Sequence, residues 1–271
     1  MSPLHTEVAI IGAGLVGASA ALALRRAGVA TALIDSGASG ARASGVNFGG
    51  VRRQGRSIEQ LYLAQRAHGI WARLPELIGT GAEYVRSGHL KLARSAADLE
   101  KLCAYRDKVS DFGLGLEIID GAELRRRYPA LSPDIAGGSL CPEDGQANPR
   151  LVAPAFALAA ARAGASVLEH CAIAHADTQG GGFLLTAADG RRIRAATVIN
   201  AAGAWGAAVA GWFGDELPLQ VKYPTMLVTE PLTPQIGVSL GVEGGGFYAR
   251  QVARGNIVMG GGYGTALPGD R

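Results

Sequence analysis

The sequence predicts an α/β fold that opens with a Rossmann-like βαβ unit, and three observations near its start predict it. The apolar run Val8 to Ile11 ends in Gly12, Gly14 and Gly17 at GxGxxG spacing, an alanine-rich helical segment follows, and a second apolar run ends at Asp35. Gly12 permits a tight turn, Gly14 lets backbone approach a pyrophosphate, and Gly17 lets helix and strand pack closely. Leu15 and Val16 complete the GAGLVG turn. The helix beginning there directs free N–H groups and the positive end of its dipole at phosphates. Asp35 lies 18 residues past Gly17, where about 20 is usual for the acid that holds a ribose hydroxyl. Ser36 stands beside it. Together these features point to a dinucleotide site.

Beyond Asp35 the chain leaves the simple alternation of strand and helix that a nicotinamide-binding domain shows. Residues 36–56, SGASGARASGVNFGGVRRQGR, are rich in glycine, serine and arginine. A loop of that length inside a compact domain has work to do. Its glycines let backbone lie against a planar ligand, and its arginines offer forks for phosphate or carboxylate. The spacing predicts the next helix from Ser57, with Ser57 and Gln60 as a capping box and Leu61, Ala64, His68 and Trp71 on one face. Asn148 and Pro149 read as cap and first turn of a helix over Leu151 to Arg162. VLEHCAI at 167–173 reads as a strand, and GFLLT and RRIRAATVIN as two more around a tight turn at Asp189 and Gly190.

Composition excludes several classes. A length of 271 residues with 48% hydrophobic content is ample for one large domain or two smaller ones. The apolar stretch at 8–24 follows His5 and Glu7 rather than a basic segment and is too short to span a bilayer. No membrane segment is expected, and with no export signal the expected location is the cytoplasm. Net charge is only +3. The one dense basic cluster, Arg125 to Arg127, follows Glu123 at a predicted helix end, so no nucleic-acid partner is expected. Cys103, Cys141 and Cys171 are widely spaced and form neither a disulfide framework nor a zinc motif. GVSLG fits a hydrolase nucleophile pattern, but no histidine follows Ser239. His170 and His175 would face opposite sides of one strand and share no metal, and Lys222 reads as a surface lysine.

The order GAGLVG, Asp35, ASGVNFGGVR resembles the FAD-dependent amine and amino-acid oxidoreductases of the D-amino-acid oxidase, glycine oxidase and sarcosine oxidase type. The resemblance continues through GHLKLA at 88–93, LEIIDGAELRRRYPAL, PEDGQANP at 142–149 and VINAAGAWG at 198–206. The SGVNFGGVR loop is similar to that of opine oxidase and hydrogen cyanide synthase subunits. The resemblance implies a Rossmann-like FAD-binding domain from residues 1–80 and 145–210. Interleaved with it would be a mostly antiparallel α+β substrate domain from 81–144 and 211–271, with the ligand in a cleft between them.

The resemblance also implies site residues. Gly12, Gly14 and Gly17 match the pyrophosphate turn, and Asp35 takes a place usually held by Glu. Ser44 and Gly45 match the loop beside the pyrophosphate and ribityl chain, while Gly49 and Gly50 would approach the isoalloxazine. Ile173 would offer its backbone to adenine. Gly203 and Trp205 match a second flavin contact, although a tryptophan filling core explains Trp205 equally well. The implied chemistry is hydride transfer to FAD from the carbon beside an amine nitrogen, leaving an imine that water hydrolyses. Arg52 or Arg53 could fork a carboxylate. Tyr248 and Arg250, two residues apart on a predicted strand, share one side of it, and a tyrosine on this strand faces the substrate in similar enzymes.

The match stops at IVMGGGYGTALPGDR, where a relative would complete its substrate sheet and return to the flavin domain. A C-terminal part of the fold is therefore expected to be missing, and these residues alone to hold FAD weakly or not at all. Two other readings stay open: a non-catalytic remnant or accessory subunit needing a partner chain, and an NAD-dependent dehydrogenase.

Overall fold

In the computed structural model, which describes residues 2–265, the chain runs β1 (Leu4–Ile11), α1 (Leu15–Arg26), β2 (Thr31–Ile34), α2 (Ala43–Val46), β3 (Gly50–Val51), α3 (Ile58–Trp71), α4 (Leu74–Ile78), β4 (His89–Ala93) and α5 (Ala96–Lys108). It continues through β5 (Glu117–Asp120), α6 (Gly121–Arg127), β6 (Gly137–Cys141), β7 (Gly145–Gln146), α7 (Pro149–Arg162), β8 (Ser166–Leu168), β9 (Ile173–Gln179), β10 (Gly182–Ala187) and β11 (Arg192–Asn200). A 3-10 turn at Gly203–Trp205 leads to α8 (Gly206–Gly211), then β12 (Tyr223–Pro231), β13 (Ser239–Val242), β14 (Tyr248–Gln251) and β15 (Asn256–Gly264).

These elements form two compact units. The first holds the chain up to Asn47, with Leu74–Ala82 and Asn148–Val221; the second holds Phe48–Arg73, Glu83–Ala147 and the described chain from Lys222. The segment 48–73, read from sequence as part of the first domain, packs within the second unit.

The first unit is built on a six-stranded sheet in the order β8-β2-β1-β11-β10-β9. β1 runs parallel to β2 and β11, and β2 parallel to β8, while β10 is antiparallel to both of its neighbours. The second half of β1 and all of β2 are buried, as expected of parallel strands covered on both faces. Ala9, Ile11, Ala32, Ile34, Leu185 and Ile193 share one core with Val209 of α8. Each fully buried aliphatic side chain there contributes about 1.5–3 kcal/mol. Gly17, Ala18 and Ala21 supply the buried small surface of α1, which packs against α7.

The second unit carries a seven-stranded sheet, β12-β15-β14-β13-β4-β6-β5, and a two-stranded ribbon, β3-β7. Its pairings are antiparallel apart from β13 with β4. Leu90, Leu92, Ile119, Leu124, Leu140 and Leu240 form its core.

Several sequence expectations change. VLEHCAI is not one strand: β8 ends at Leu168 and β9 begins at Ile173. Between them the chain turns back to the residues after β2. Ser39 N–H donates to the Glu169 carboxylate at 2.6 Å, and the N–H groups of His170 and Cys171 donate to the carbonyls of Gly37 and Asp35. Bonds to a neighbouring loop replace a strand ladder there. His170 consequently leaves the strand with φ +50°, so the opposite-faces argument no longer applies. No cluster of metal-binding side chains occurs among the described residues.

Ser57 is the N-cap of α3, but its side chain makes no cap bond; its backbone carbonyl accepts from the Gln60 and Leu61 N–H groups. α7 begins at Pro149 with Asn148 as its cap, as the sequence predicts: Asn148 Oδ1 accepts from Arg150 N–H. Within the long loop, α2 and β3 give regular structure where none is predicted. The three arginines at 125–127 close α6, where Arg126 pairs with Glu123 and Arg127 with Glu117. The cysteines are free. No helix among the described residues is long and apolar enough to cross a membrane.

Candidate functional site

The first unit presents a backbone cradle at the end of β1. Gly12 has φ +108°, and a Cβ there would collide with the Ala201 carbonyl. A Cβ on Gly17 would collide with the Gly12 carbonyl, and one on Gly14 would sit 2.9 Å from Ser44 Oγ. The three glycines are thus required by close approach of backbone to backbone or to Ser44. Asp35 holds the turn in place: Oδ2 accepts from Ala13 N–H at 2.7 Å and Oδ1 from Gly37 N–H at 2.9 Å. The carboxylate therefore anchors the glycine turn, and each oxygen keeps a lone pair for a further donor.

Ser44 Oγ accepts from the Leu15 N–H at 2.9 Å, capping the first amide of α1. The next two amides, of Val16 and Gly17, have no partner within the helix by its geometry. Val16 is 72% exposed, so this helix end is open. Gly45 is buried against the Gly40 carbonyl, and Ser36 is exposed in the bend after β2. Ile173 opens β9, at the far side of the sheet from β8. Gly203 adopts φ +57° in the turn after β11. Trp205 is 49% exposed, with the Arg42 guanidinium 5.6 Å from its ring centroid. That placement counts against the core-filling explanation.

In the second unit the end of the glycine-rich loop is tied down along its length. Ala147 N–H donates to Gly49 O at 2.9 Å, Gly50 and Val51 pair with Gln146 and Gly145, and the next residues turn onto Asp144. The Asp144 carboxylate is fully buried. Its Oδ2 accepts the backbone N–H groups of Arg53 and Gln54, each at 2.9 Å, and its Oδ1 accepts from Arg53 Nε at 3.1 Å. Arg53 also donates to Gln65 Oε1 at 2.8 Å. The Gln54 amide donates to Ser139 and accepts from His89 Nδ1 at 2.8 Å. Burial, with the Arg52 charge nearby, pushes the His89 pKa down to about 4, so the ring is neutral. Burial likewise pushes the Cys141 thiol up to about 12.

This geometry alters the roles expected of two arginines. Arg53 is committed to a buried ion pair and is not a free fork. Arg52 is partly buried, its guanidinium bonds the Gln54 carbonyl, and desolvation lowers its pKa. Tyr248 and Arg250 do share one face of β14, and both meet Phe48: the two rings pack edge to face at 4.8 Å, and the guanidinium lies 5.5 Å from the Phe48 centroid. The Tyr248 ring covers Gly260, where a Cβ would approach within 2.6 Å, and its hydroxyl reaches Met226 Sδ at 3.5 Å.

A family model for FAD dependent oxidoreductases (DAO) matches residues 7–271. The chain belongs to this family. It is 28% identical over 219 residues to 4-methylaminobutanoate oxidase (formaldehyde-forming) of Paenarthrobacter nicotinovorans, covering 80% of this chain and 27% of that protein. It is 27% identical over 240 residues to an opine oxidase subunit of Rhizobium meliloti, covering 83% and 64%. The chain thus spans less than two thirds of the length of these relatives. The crystal structure of glycine oxidase from Geobacillus kaustophilus superposes with a TM-score of 0.88 at 24% identity, over 96% of this chain and 72% of that one. The fold is therefore the one expected. The cradle at Gly12, Gly14 and Gly17 fits FAD, the cofactor of the family.

Sequence reasoning does not single out Asp144, Gln54, His89, Ser139, Phe48 or Gln146. PEDGQANP enters there only as a stretch shared with the family. An aspartate before glycine reads as a turn, and nothing local shows that its carboxylate is buried beneath residues 90 positions earlier.

Proposed function

We propose that the protein oxidises the CH–NH bond of an amino acid or secondary amine with FAD. Membership of the family along nearly the whole chain, with an intact glycine cradle, carries this reading. The first unit would be the FAD-binding unit. Leu15, Val16 and Gly17 offer helix amides to the pyrophosphate, Gly12 and Gly14 let it approach, and Asp35, with Ser36 beside it, faces a ribose hydroxyl. Ser44 and Gly45 line the pyrophosphate side, Ile173 meets adenine through its backbone, and Gly49, Gly50, Gly203 and Trp205 approach the ring system. When bound, FAD supplies the hydride acceptor for the substrate carbon.

The second unit would hold the substrate, with Tyr248 turned toward it. Its residues must keep the amine unprotonated and fix the C–H bond for transfer. The imine product leaves to be hydrolysed by water.

Anaerobic addition of glycine, sarcosine, D-amino acids and simple amines to the flavin-loaded protein tests this reading. Bleaching of the flavin band by one class supports it; no bleaching by any points to an accessory role in a larger assembly. The second outcome has a precedent in name, since one relative is a subunit of opine oxidase. Replacing Gly14 with Trp is expected to abolish flavin retention, and retention at the wild-type level would count against the cradle.

A further inference from the structure

β12 and β14 are not neighbours, yet two of their side chains meet across β15. Met226 of β12 lies opposite Gly260 of β15, and Gly260 lies opposite Tyr248 of β14. Residues at one register position share a face of the sheet, so Met226 and Tyr248 stand on the same side with Gly260 between them. Because Gly260 has no side chain, the phenol can lie across β15; a Cβ there would come within 2.6 Å of the ring and its hydroxyl. The Tyr248 hydroxyl thereby reaches Met226 Sδ at 3.5 Å. A thioether is a weak acceptor, so the hydroxyl is held loosely. Met226 sits on the outermost strand of the sheet, which among the described residues pairs with β15 alone. It is half-buried, and Leu227 and Val228 after it are exposed. Met259 supplies a contrast within the same strand pair: one residue from Gly260, it packs against the core of the second unit on the other face of the sheet.

We propose that Met226 is a modification site: hydrogen peroxide converts its thioether to the sulfoxide, and the sulfoxide takes hold of the Tyr248 hydroxyl. The peroxide O–O bond breaks, one oxygen forms the new S–O bond, and the other leaves as water with both protons. Sulfur gives up an electron pair and the peroxide takes it. The modification replaces a weak acceptor with a strong one beside a hydroxyl that already touches it. Tyr248 is then harder for a substrate to recruit. That effect on turnover rests on the reading above, in which Tyr248 faces the substrate; the modification and its grip on the phenol do not. Methionine sulfoxide is reducible by sulfoxide reductases, so the change is reversible.

The test adds dilute hydrogen peroxide to wild type, Met226→Leu and Gly260→Ala. Peptide mass spectrometry is expected to show Met226 gaining an oxygen before Met259 does; Met259 first, or both together, overturns the proposal. The near-UV tyrosine spectrum is expected to change as Met226 oxidises in wild type but not in Met226→Leu. It should not change in Gly260→Ala either, where the added methyl moves the phenol off a sulfur that still oxidises. No change in wild type, or an equal change in all three, overturns the grip on Tyr248. In flavin-loaded protein, oxidation is expected to raise KM for the reducing amine about 10-fold, the worth of one hydrogen bond, with kcat little changed. Sulfoxide reductase should reverse the rise, and Met226→Gln, which carries a neutral acceptor oxygen, should show it without peroxide. A KM that oxidation leaves unchanged overturns the effect on turnover. If Met226 oxidises first and the tyrosine spectrum follows while no amine reduces the flavin, the sulfoxide site stands and the amine-oxidation reading fails. Should Gly260→Ala not fold, Met226→Gln decides: a tyrosine spectrum identical to that of unoxidised wild type overturns the proposal.

Discussion

Arg53 and Arg250 are buried to nearly the same degree, 6% and 5% exposed, within the same unit, yet their surroundings differ completely. Arg53 meets a fully buried carboxylate, a glutamine and a thiol, and its own backbone N–H joins the same carboxylate. Arg250 meets an aromatic face, a distant glutamate and one long amide contact. The first arrangement holds structure together: Asp144 neutralises the charge and pins residues 53 and 54 in one stroke. The second leaves a charge unanswered inside the protein, which stability alone does not favour. Burial by itself therefore says little about a cation's role; the identity of its counter-ion says more.

The largest expected effect breaks the Arg53 side. Asp144→Ala leaves Arg53 as an uncompensated buried charge and should cost about 3–5 kcal/mol in denaturant unfolding. Arg250→Met replaces an unpaired buried charge with an apolar chain and should leave stability within about 1 kcal/mol of wild type, or raise it. A large loss from Arg250→Met would show that its charge is structurally paired after all.

Next in size is an acid effect on the network beneath Arg53. His89 has a folded pKa near 4, below the value of 6.5 it takes when unfolded. The unfolded chain binds the proton first as pH falls, so stability is lost between pH 6.5 and 4, by about 3 kcal/mol in full. His89→Asn should flatten that slope between pH 7 and 5, measured as urea midpoints; an unchanged slope would assign it to other groups.

The smallest effect lies in the first unit. Ser44→Ala removes the oxygen that caps Leu15 N–H and should cost about 1 kcal/mol. It should also weaken FAD binding, measured as flavin retained after gel filtration; unchanged retention would show that the Leu15 cap does not support the cofactor cradle.

Much of the fold is legible in the sequence because it is encoded over short distances. GxGxxG, the helix after it and the acid at Asp35 occupy one continuous stretch, and tight turns, helix periodicity and apolar strands are local physics. The hairpin around Asp189 and Gly190 and the close of α6 are readable for the same reason. The errors come where distant contacts win. VLEHCAI has strand propensity throughout, but Glu169, His170 and Cys171 bond to the loop after β2. Ser57 has the right neighbour for a capping box, yet it holds the helix start through its backbone carbonyl and its side chain makes no cap bond.

The sequence by itself determined the βαβ unit, the glycines of the cradle, the resemblance to FAD oxidoreductases and the pairing of Tyr248 with Arg250 on one strand face. Each follows from spacing along the chain. Only the tertiary structure decided what the arginines do. In the sequence Arg52 and Arg53 are free forks in a glycine-rich loop; in the fold a carboxylate from residue 144 lies beneath them. Arg250 is a candidate by its place beside Tyr248 in the sequence, but only the fold shows that it is buried with no ion-pair partner among the described residues. A side chain's charge is written in the sequence, but its partner is chosen by folding, because electrostatic pairing depends on distance in space.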